Sequence, residues 1–376
     1  MLRINLHIYP SPYKFETRIN KEVTSIEQLN IFDSIIIAGT WAEGLAVNEI
    51  QSDKISVVRI KTGFETKSGF LFKVLNTLLF NIKLYLYFRK ITVGYINCHS
   101  LWALPLSVFL KRKDKAKLIY DAHELETERA GLKGYKQKTA KILERKLIKY
   151  CDKIIVVGDF IAEWYKNEYQ RDDVYSIRNV PNKNSVVDEK SNILRELFGL
   201  SPEDIIFIYQ GIINKGRGVD ILIEAFKDNN DNKHLVIMGY GNQEYLAKEA
   251  SIKYKNIHFV PAVLPKEIPL YTSGADVGVF MVENIGLSYY LCLPNKFFEY
   301  LYCGLPVIVS DFPEMKSIVD KYNCGWTIPP GLEAIKDKVR AVTSQEIQQK
   351  KGDLDRLYEE VNWERDIANL KNVFNG

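Results

Sequence analysis

Short apolar runs rich in β-branched residues recur along the chain, each followed by a stretch with helical spacing. This alternation restricts the fold more than any other feature. In the first half the runs are RINLHIY (3–9), SIIIAG (34–39), KISVVRI (54–60), GYINCH (94–99), AKLIYD (116–121) and KIIVVG (153–158). Runs of this length and composition read as strands. TRINKEVTSIEQL (17–29) and KQKTAKILERKLIKYC (136–151), lying between them, carry the periodicity of amphipathic helices. Strand and helix in alternation imply a parallel sheet covered by helices on both faces. The rhythm pauses at IRNVPNKNSVVDEKSN (177–192), where Pro, Asn, Ser and charge accumulate as in a linker. It restarts with IIFIYQG (205–211), HLVIMGYG (234–241), NIHFV (256–260), ADVGVFM (275–281), LPVIVSD (305–311) and CGWTI (324–328). The expected architecture is α/β, with two Rossmann-like doubly wound domains in series. Their expected spans are 1–182 and 183–358, followed by a helix over 359–376 that packs back on the first domain.

A chain of 376 residues is too long for one ordinary core and comfortable for two. Its apolar share of 46% and charged share of 26% exclude global disorder. A net charge of +4 is too mild to argue for nucleic acid, yet permits an anionic small ligand or an anionic membrane surface. Five scattered cysteines form no CxxC pair, so neither a disulfide framework nor a zinc site is expected, and a reducing cytoplasm fits. The start, MLRINLHIYPSPY, lacks the order of a signal peptide. FLFKVLNTLLFNIKLYLYFRKI (70–91) is nearly continuous in apolar residues, but Lys73, Asn76, Asn81 and Lys83 interrupt it and argue against a membrane span. Two readings remain: a buried helix of the first domain, or an interfacial helix whose lysines and aromatic rings meet anionic lipid.

Open parallel sheets bind ligands beyond the carboxyl ends of their strands, so the residues just after each strand are the places to look. After the first strand of the second domain, YQGIINKGRGVDILIEAF (209–226) ends the strand at Gly211. A loop with Lys215 and Arg217 then leads into an apolar helix. Such a loop offers a phosphate backbone N–H groups, a helix start and two cations, or is simply a solvated basic turn. It matches neither a Walker A loop nor GxGxxG. Gly239 and Gly241 in MGYGN allow close backbone approach to a ligand, or merely a tight turn. LPNKFFEYLYCGLPVIVSD (293–311) reads as a helix from Asn295 to Tyr302, stopped by Gly304 with Pro306 beyond. Its start, reinforced by Lys296, suits a phosphate, and Glu299 one turn on suits ribose hydroxyls. The bland alternative is a surface i,i+3 ion pair between Lys296 and Glu299. In the first domain YDAHELETERAG (120–131) gathers Asp121, His123, Glu124 and Glu126 directly after a strand. Charges collected there point to a site more than to a core. No HExxH, Ser/His/Asp signature or metal-ligand spacing appears in the sequence.

In this order the pieces resemble the GT4 family of retaining glycosyltransferases, of the bacterial surface-polysaccharide type, which have the GT-B fold. The resemblance covers most of the chain and is strongest over 205–330, where YQGIINKGRG, LVIMGYGN, LPNKFFEYLYCGLPVIVSD and CGWTIPPG follow at the family's spacing. It implies two Rossmann-like domains facing a cleft, with a nucleotide-sugar donor, UDP-sugar favoured, held by the second. A saccharide or lipid-linked saccharide acceptor would be held by the first. Arg217 falls where the family usually has the lysine of a Lys-Gly pair on the diphosphate, with Lys215 nearby, and Glu299 matches the carboxylate that holds the donor ribose. His123 is similar to the histidine near the transferred sugar. Gly211, Gly239, Gly241, Asn295 and Lys296 complete the implied donor site, with His123, Glu299 and Arg217 as the implied catalytic set. The family's first glutamate falls on Leu291, and the arginine common after the strand-ending glycine is Ile212.

The resemblance implies substitution at the anomeric carbon with retained configuration, no cofactor and no bound metal. Partners would be the donor, the acceptor and an anionic membrane touched through 70–91, with no nucleic acid. The expected location is the cytoplasm, at the inner face of the plasma membrane. Two other functions compete: a catalytically inactive GT-B partner subunit, motivated by Leu291, and a nucleotide-sugar 2-epimerase.

Overall fold

A computed structural model describes residues 3–14, 16–67, 69–187, 189–228 and 232–374. The chain divides into two compact units. One runs to Ile177 and regains the chain from Ile367; the other runs from Arg178 to Asp366.

The first unit is built on an eight-stranded sheet. Its strands are β1 (Ile4–Ile8), β2 (Ser34–Thr40), β3 (Asn48–Ile50), β4 (Ile55–Ile60), β5 (Tyr95–Cys98), β6 (Lys117–Ala122), β7 (Lys153–Val156) and β8 (Val174–Ser176). They lie in the order β3-β4-β2-β1-β5-β6-β7-β8, parallel except for β3, which runs against β4. The order reverses between β1 and β5, so the crevice above their carboxyl ends is the place where this topology binds ligands. The six apolar runs read from the sequence are six of these strands. The two it misses, β3 and β8, are three residues each at the sheet edges, too short to show a period.

Helices cover this sheet because each presents an apolar stripe. On α1 (Thr17–Leu29) the stripe is Ile19, Val23 and Ile26, all fully buried. On α2 (Phe70–Phe88) it is Phe80, Leu84 and Phe88, spaced at i, i+4 and i+8. The polar residues of α2 bond to neighbouring backbone: Asn76 donates to the Phe64 carbonyl at 2.9 Å, Asn81 to that of Trp102 at 3.2 Å, and Lys83 to that of Lys61 at 2.8 Å. Next come α3 (Leu104–Asp114) and α4 (Tyr135–Leu147). The last turns of the final helix, Trp363–Phe374, return to this unit. There Phe374 stands edge-on to Phe32, ring centroids 5.5 Å apart.

In the second unit the strands β9 (Ile205–Ile212), β10 (Lys233–Tyr240), β11 (Ile257–Pro261), β12 (Val277–Phe280), β13 (Val307–Ser310) and β14 (Gly325–Ile328) form a parallel sheet ordered β11-β10-β9-β12-β13-β14. Its reversal falls between β9 and β12. Among the described residues of 177–192 there is a single short turn of helix, Lys183–Ser185, and the first of them are tied down: Arg178 pairs with Asp366 at 3.0 Å and Pro181 accepts from the Trp363 N–H at 3.0 Å.

Candidate functional site

β9 ends where the second sheet reverses, at Gly211 and Ile212. Gly211 adopts φ 114°, and a Cβ there would lie 3.0 Å from the Lys296 Nζ. The ammonium of Lys296 therefore rests over the bare backbone at the strand's end, a place only glycine leaves open. Lys296 is the second residue of the helix Asn295–Tyr302, whose orientation is fixed by the buried Phe297, Phe298, Tyr300, Leu301 and Tyr302. Its Nζ stands 4.2 Å from the Tyr209 ring centroid and 4.5 Å from that of Phe280. It forms no ion pair with a described residue. Burial, then the neighbouring Arg217 charge, push its amine down to about 7, against a weaker upward pull from Glu299. The guanidinium of Arg217 lies 5.0 Å from the Tyr289 ring and likewise makes no ion pair with a described residue. Two adjacent cations without a carboxylate partner, at the switch point of a parallel sheet, form a place for an anion.

Glu299 is held from behind. Its Oε2 accepts from the Gln210 Nε2 at 2.5 Å, while the Gln210 Oε1 accepts from the Thr272 hydroxyl at 2.6 Å and the Gln210 N–H donates to the Tyr300 hydroxyl at 2.8 Å. Gln210 is buried, so all its polar groups need partners, and that need orients the carboxylate.

Gly239 and Gly241 have a packing role in the strand end. A Cβ on Gly239 would meet the Gly211 carbonyl at 1.9 Å, and one on Gly241 the Ile213 carbonyl at 2.4 Å. Both glycines let β10 and its turn press against the β9 loop, and so hold Gly211 in place. Gly239→Ala is expected to cost about 3 kcal/mol or more, read as a lowered denaturation midpoint, because backbone must move to admit the methyl group.

In the first unit the reversal between β1 and β5 carries a chain of buried polar groups. The Arg18 guanidinium grips Asp121 with two bonds, 2.7 and 3.2 Å, and donates a third to the Ile177 carbonyl at 2.7 Å. The His99 Nδ1 lies 2.8 Å from the Asp121 Oδ2 and its Nε2 lies 2.9 Å from the His7 Nδ1. The His123 Nε2 completes the group, 3.3 Å from the same carboxylate oxygen and 3.1 Å from the His99 Nδ1. Arg18 and the hydrogen bonds hold Asp121 well below the usual carboxylate range despite its burial. Burial holds His7 well down and His99 at about 4, so both rings stay neutral. With Asp121 ionised, His99 carries its proton on Nδ1, toward the carboxylate. His123 keeps one edge exposed. The donor atoms of His99, Asp121 and His123 are close enough to hold a metal ion. Arg18 already supplies the positive charge that this carboxylate faces.

Residues 191–354 match the family of glycosyl transferases group 1. Most of the second unit is thus similar to that family, and the chain has the GT-B fold. The sucrose-phosphate synthase of Thermosynechococcus elongatus is similar with a TM-score of 0.80 at 15% identity, over 99% of this chain and 98% of that one. HepE of Anabaena, solved in complex with UDP and glucose, is similar with a TM-score of 0.74 at 13% identity, over 100% of each chain. A glycosyltransferase from Rickettsia africae gives 0.69 at 14% identity, over 99% and 97%. No curated protein matches the chain.

Of the residues singled out in the sequence, the second unit brings Gly211, Arg217, Lys296 and Glu299 together around the end of β9. Lys215, on the same loop as Arg217, is exposed. The Asn295 Oδ1 accepts from the Asn179 Nδ2 at 3.0 Å, which occupies it with the segment before the domain. Lys296 and Glu299 form no surface ion pair; they face the strand end. His123 belongs to the first unit. Gln210, Thr272, Tyr209 and Phe280 escaped sequence reading, since a buried Gln beside a strand-ending glycine was the only visible signal.

Proposed function

We propose that this chain is a retaining glycosyltransferase that moves a sugar from a UDP-sugar to a saccharide or lipid-linked saccharide acceptor in surface polysaccharide synthesis. The observation that carries the reading is the pair Lys296 and Arg217, neighbouring cations with no ion pair to a described residue, Lys296 lying over the bare backbone of Gly211. A diphosphate supplies the charge they lack, and Glu299, one helical turn away and oriented by Gln210, suits the ribose hydroxyls. The HepE structure was solved in complex with UDP and glucose, which supports the choice of base.

In the reaction the bond from the anomeric carbon to the diphosphate oxygen breaks, and its electron pair stays on the diphosphate. The acceptor hydroxyl oxygen bonds to the same face of that carbon, and its proton passes to the departing diphosphate oxygen. The protein's share is electrostatic: Lys296 and Arg217 stabilise charge that grows on the diphosphate as the bond breaks. His123, fixed by Asp121 and His99, is assigned to the sugar being transferred. The proposed place of work is the cytoplasm, where nucleotide sugars are made.

Thermal stabilisation by UDP, GDP and ADP tests the donor site, because a ligand that binds only the folded state raises the melting temperature. UDP is expected to give the largest rise. Arg217→Ala and Glu299→Ala should each weaken UDP binding about tenfold or more, while the unliganded variants melt within a few degrees of the parent. Parent-like affinity in either variant removes that residue from the site. A second reading, a partner subunit without chemistry, is favoured by the buried Leu291, which stands where the family places a glutamate. UDP binding without any donor hydrolysis or transfer would select it.

A further inference from the structure

On α2 the face opposite Phe80, Leu84 and Phe88 is also apolar. Leu71, Val74, Leu78, Ile82 and Leu86 are between 45% and 74% exposed, and only 17% of the stretch Leu71–Phe88 is buried. Four of them, from Val74 onward, stand at i+4 spacing and form one ridge. Beside the ridge a groove of about 840 Å³ opens between α2, α3 and α4, lined by Val74, Leu78, Ile82, Trp102, Phe109 and Tyr135 among others. The buried side of α2 is thus satisfied by the first unit, and the outer side plus groove is a second apolar surface that the fold does not use. An exposed apolar surface this continuous marks an interaction site.

The charge around it identifies the occupant. α2 contains no acidic residue. α4 carries Lys136, Lys138, Lys141, Arg145 and Lys146, against Glu144 alone. Glu144 points inward, accepting hydrogen bonds from Tyr120 at 2.9 Å and Tyr165 at 3.0 Å. The acid of α3, Asp114, is tied to Lys113 at 2.6 Å. Lys141 pairs with Glu128 and Arg145 with Glu168, both outside these helices, while Lys138 and Lys146 make no ion pair with a described residue; the apolar surface is therefore bordered by cations, with no outward acid on these three helices. Trp102, Tyr87 and Tyr135 stand among them, exposed rings of the kind that settle between hydrocarbon and water. A protein partner would be expected to meet some complementary polarity inside the groove; hydrocarbon chains under a layer of phosphate need only this arrangement.

We propose that α2, α3 and α4 form a docking face for an anionic lipid leaflet. The ridge of α2 sinks into the chains, the groove takes acyl chain, and the lysines of α4 meet the phosphates. α2 lies along the leaflet and does not cross it, since its Asn76, Asn81 and Lys83 are bonded to the backbone of the first unit. The proposal is independent of the donor site, so UDP binding serves as a control for folding in every variant.

The test uses the whole chain and vesicles of phosphatidylglycerol mixed with phosphatidylcholine, some with brominated acyl chains that quench tryptophan emission on contact. The parent is expected to sediment with the mixed vesicles and to bind pure phosphatidylcholine at least tenfold more weakly. Leu78→Asp with Ile82→Asp should lose at least tenfold in binding, as should Lys138→Glu with Lys146→Glu, both keeping the UDP-induced rise in melting temperature. Brominated chains should quench the parent, and most of that quenching should vanish in Trp102→Phe. Binding without Trp102-dependent quenching would overturn the docking face in favour of loose electrostatic adsorption. No vesicle binding, or a dimer in light scattering that the Leu78→Asp and Ile82→Asp pair dissolves, would overturn it as well.

Discussion

Lys296→Met is expected to weaken UDP binding at least tenfold while raising the melting temperature by a few degrees. Methionine keeps the length of the side chain and fits against Tyr209 and Phe280 without a charge. In the parent the amine falls to about 7 on folding, from an ordinary value near 10.5. The unfolded chain thus binds more protons than the folded one between those pH values, and stability rises with pH across that window. The penalty for holding the ammonium in this place is complete below about pH 7 and gone above about pH 10.5. The stabilisation by methionine should follow the same course, largest near neutrality and fading in alkali. A diphosphate reverses the balance by favouring the ammonium, so UDP binding above pH 7 takes up a proton and weakens toward pH 9, at most about tenfold per unit. Lys296→Arg should remove that slope, because a guanidinium stays charged. Calorimetry in two buffers of different ionisation enthalpy measures the proton directly. Unchanged UDP affinity together with an unchanged melting temperature in Lys296→Met would remove Lys296 from the anion site.

The same residue illustrates what the sequence conveys and what it withholds. The strand-helix rhythm was legible because parallel strands buried on both faces must be apolar throughout, and twelve of the fourteen strands announce themselves in this way. The helix Asn295–Tyr302 was legible from its glycine stop and its following proline. What the chain order could not reveal was that Lys296 folds back under two rings and over Gly211, since Tyr209, Phe280 and Gly211 arrive from strands up to 87 positions away in sequence, from Tyr209 to Lys296. Gly239 and Gly241 carry a related ambiguity. A glycine beside a strand end reads alike whether its missing Cβ makes room for a ligand or for another strand's carbonyl. Here the carbonyl of Gly211 lies where a Gly239 Cβ would stand, and that approach is set by the β9–β10 register, Gly239 against Gly211.

The histidine cluster was harder still. His123 stood out through its charged neighbours, but His7 and His99 each looked like isolated polar residues in apolar strands. They meet because β1 and β5 are adjacent where the sheet order reverses, and His7 pairs with Asn97, two residues before His99. Arg18 lies on α1, in a segment whose helical period does not show that its side chain reaches Asp121, 103 positions on.

Arg18→Met is therefore expected to be among the most damaging single changes in the first unit. It strips two charge-assisted bonds from Asp121 and leaves the Ile177 carbonyl unpaired in a site from which water is excluded. Breaking a buried pair from one side costs about 3–5 kcal/mol, or on the order of 10 °C for a unit of this size. Asp121→Asn should be milder, and Glu22 is the reason. Its carboxyl, 3.0 Å from the Arg18 Nη2, is held well above the ordinary range by burial and by the charge of Asp121. Once Asp121 is neutral, Glu22 can ionise and take over as partner to Arg18. Asp121→Asn combined with Glu22→Gln leaves the guanidinium with no carboxylate, and its loss should exceed the sum of the two single losses by about 1–3 kcal/mol. Chemical denaturation of the four proteins gives the coupling. Additive losses would show that Glu22 is no reserve, and that backbone carbonyls alone hold Arg18 when Asp121 is gone.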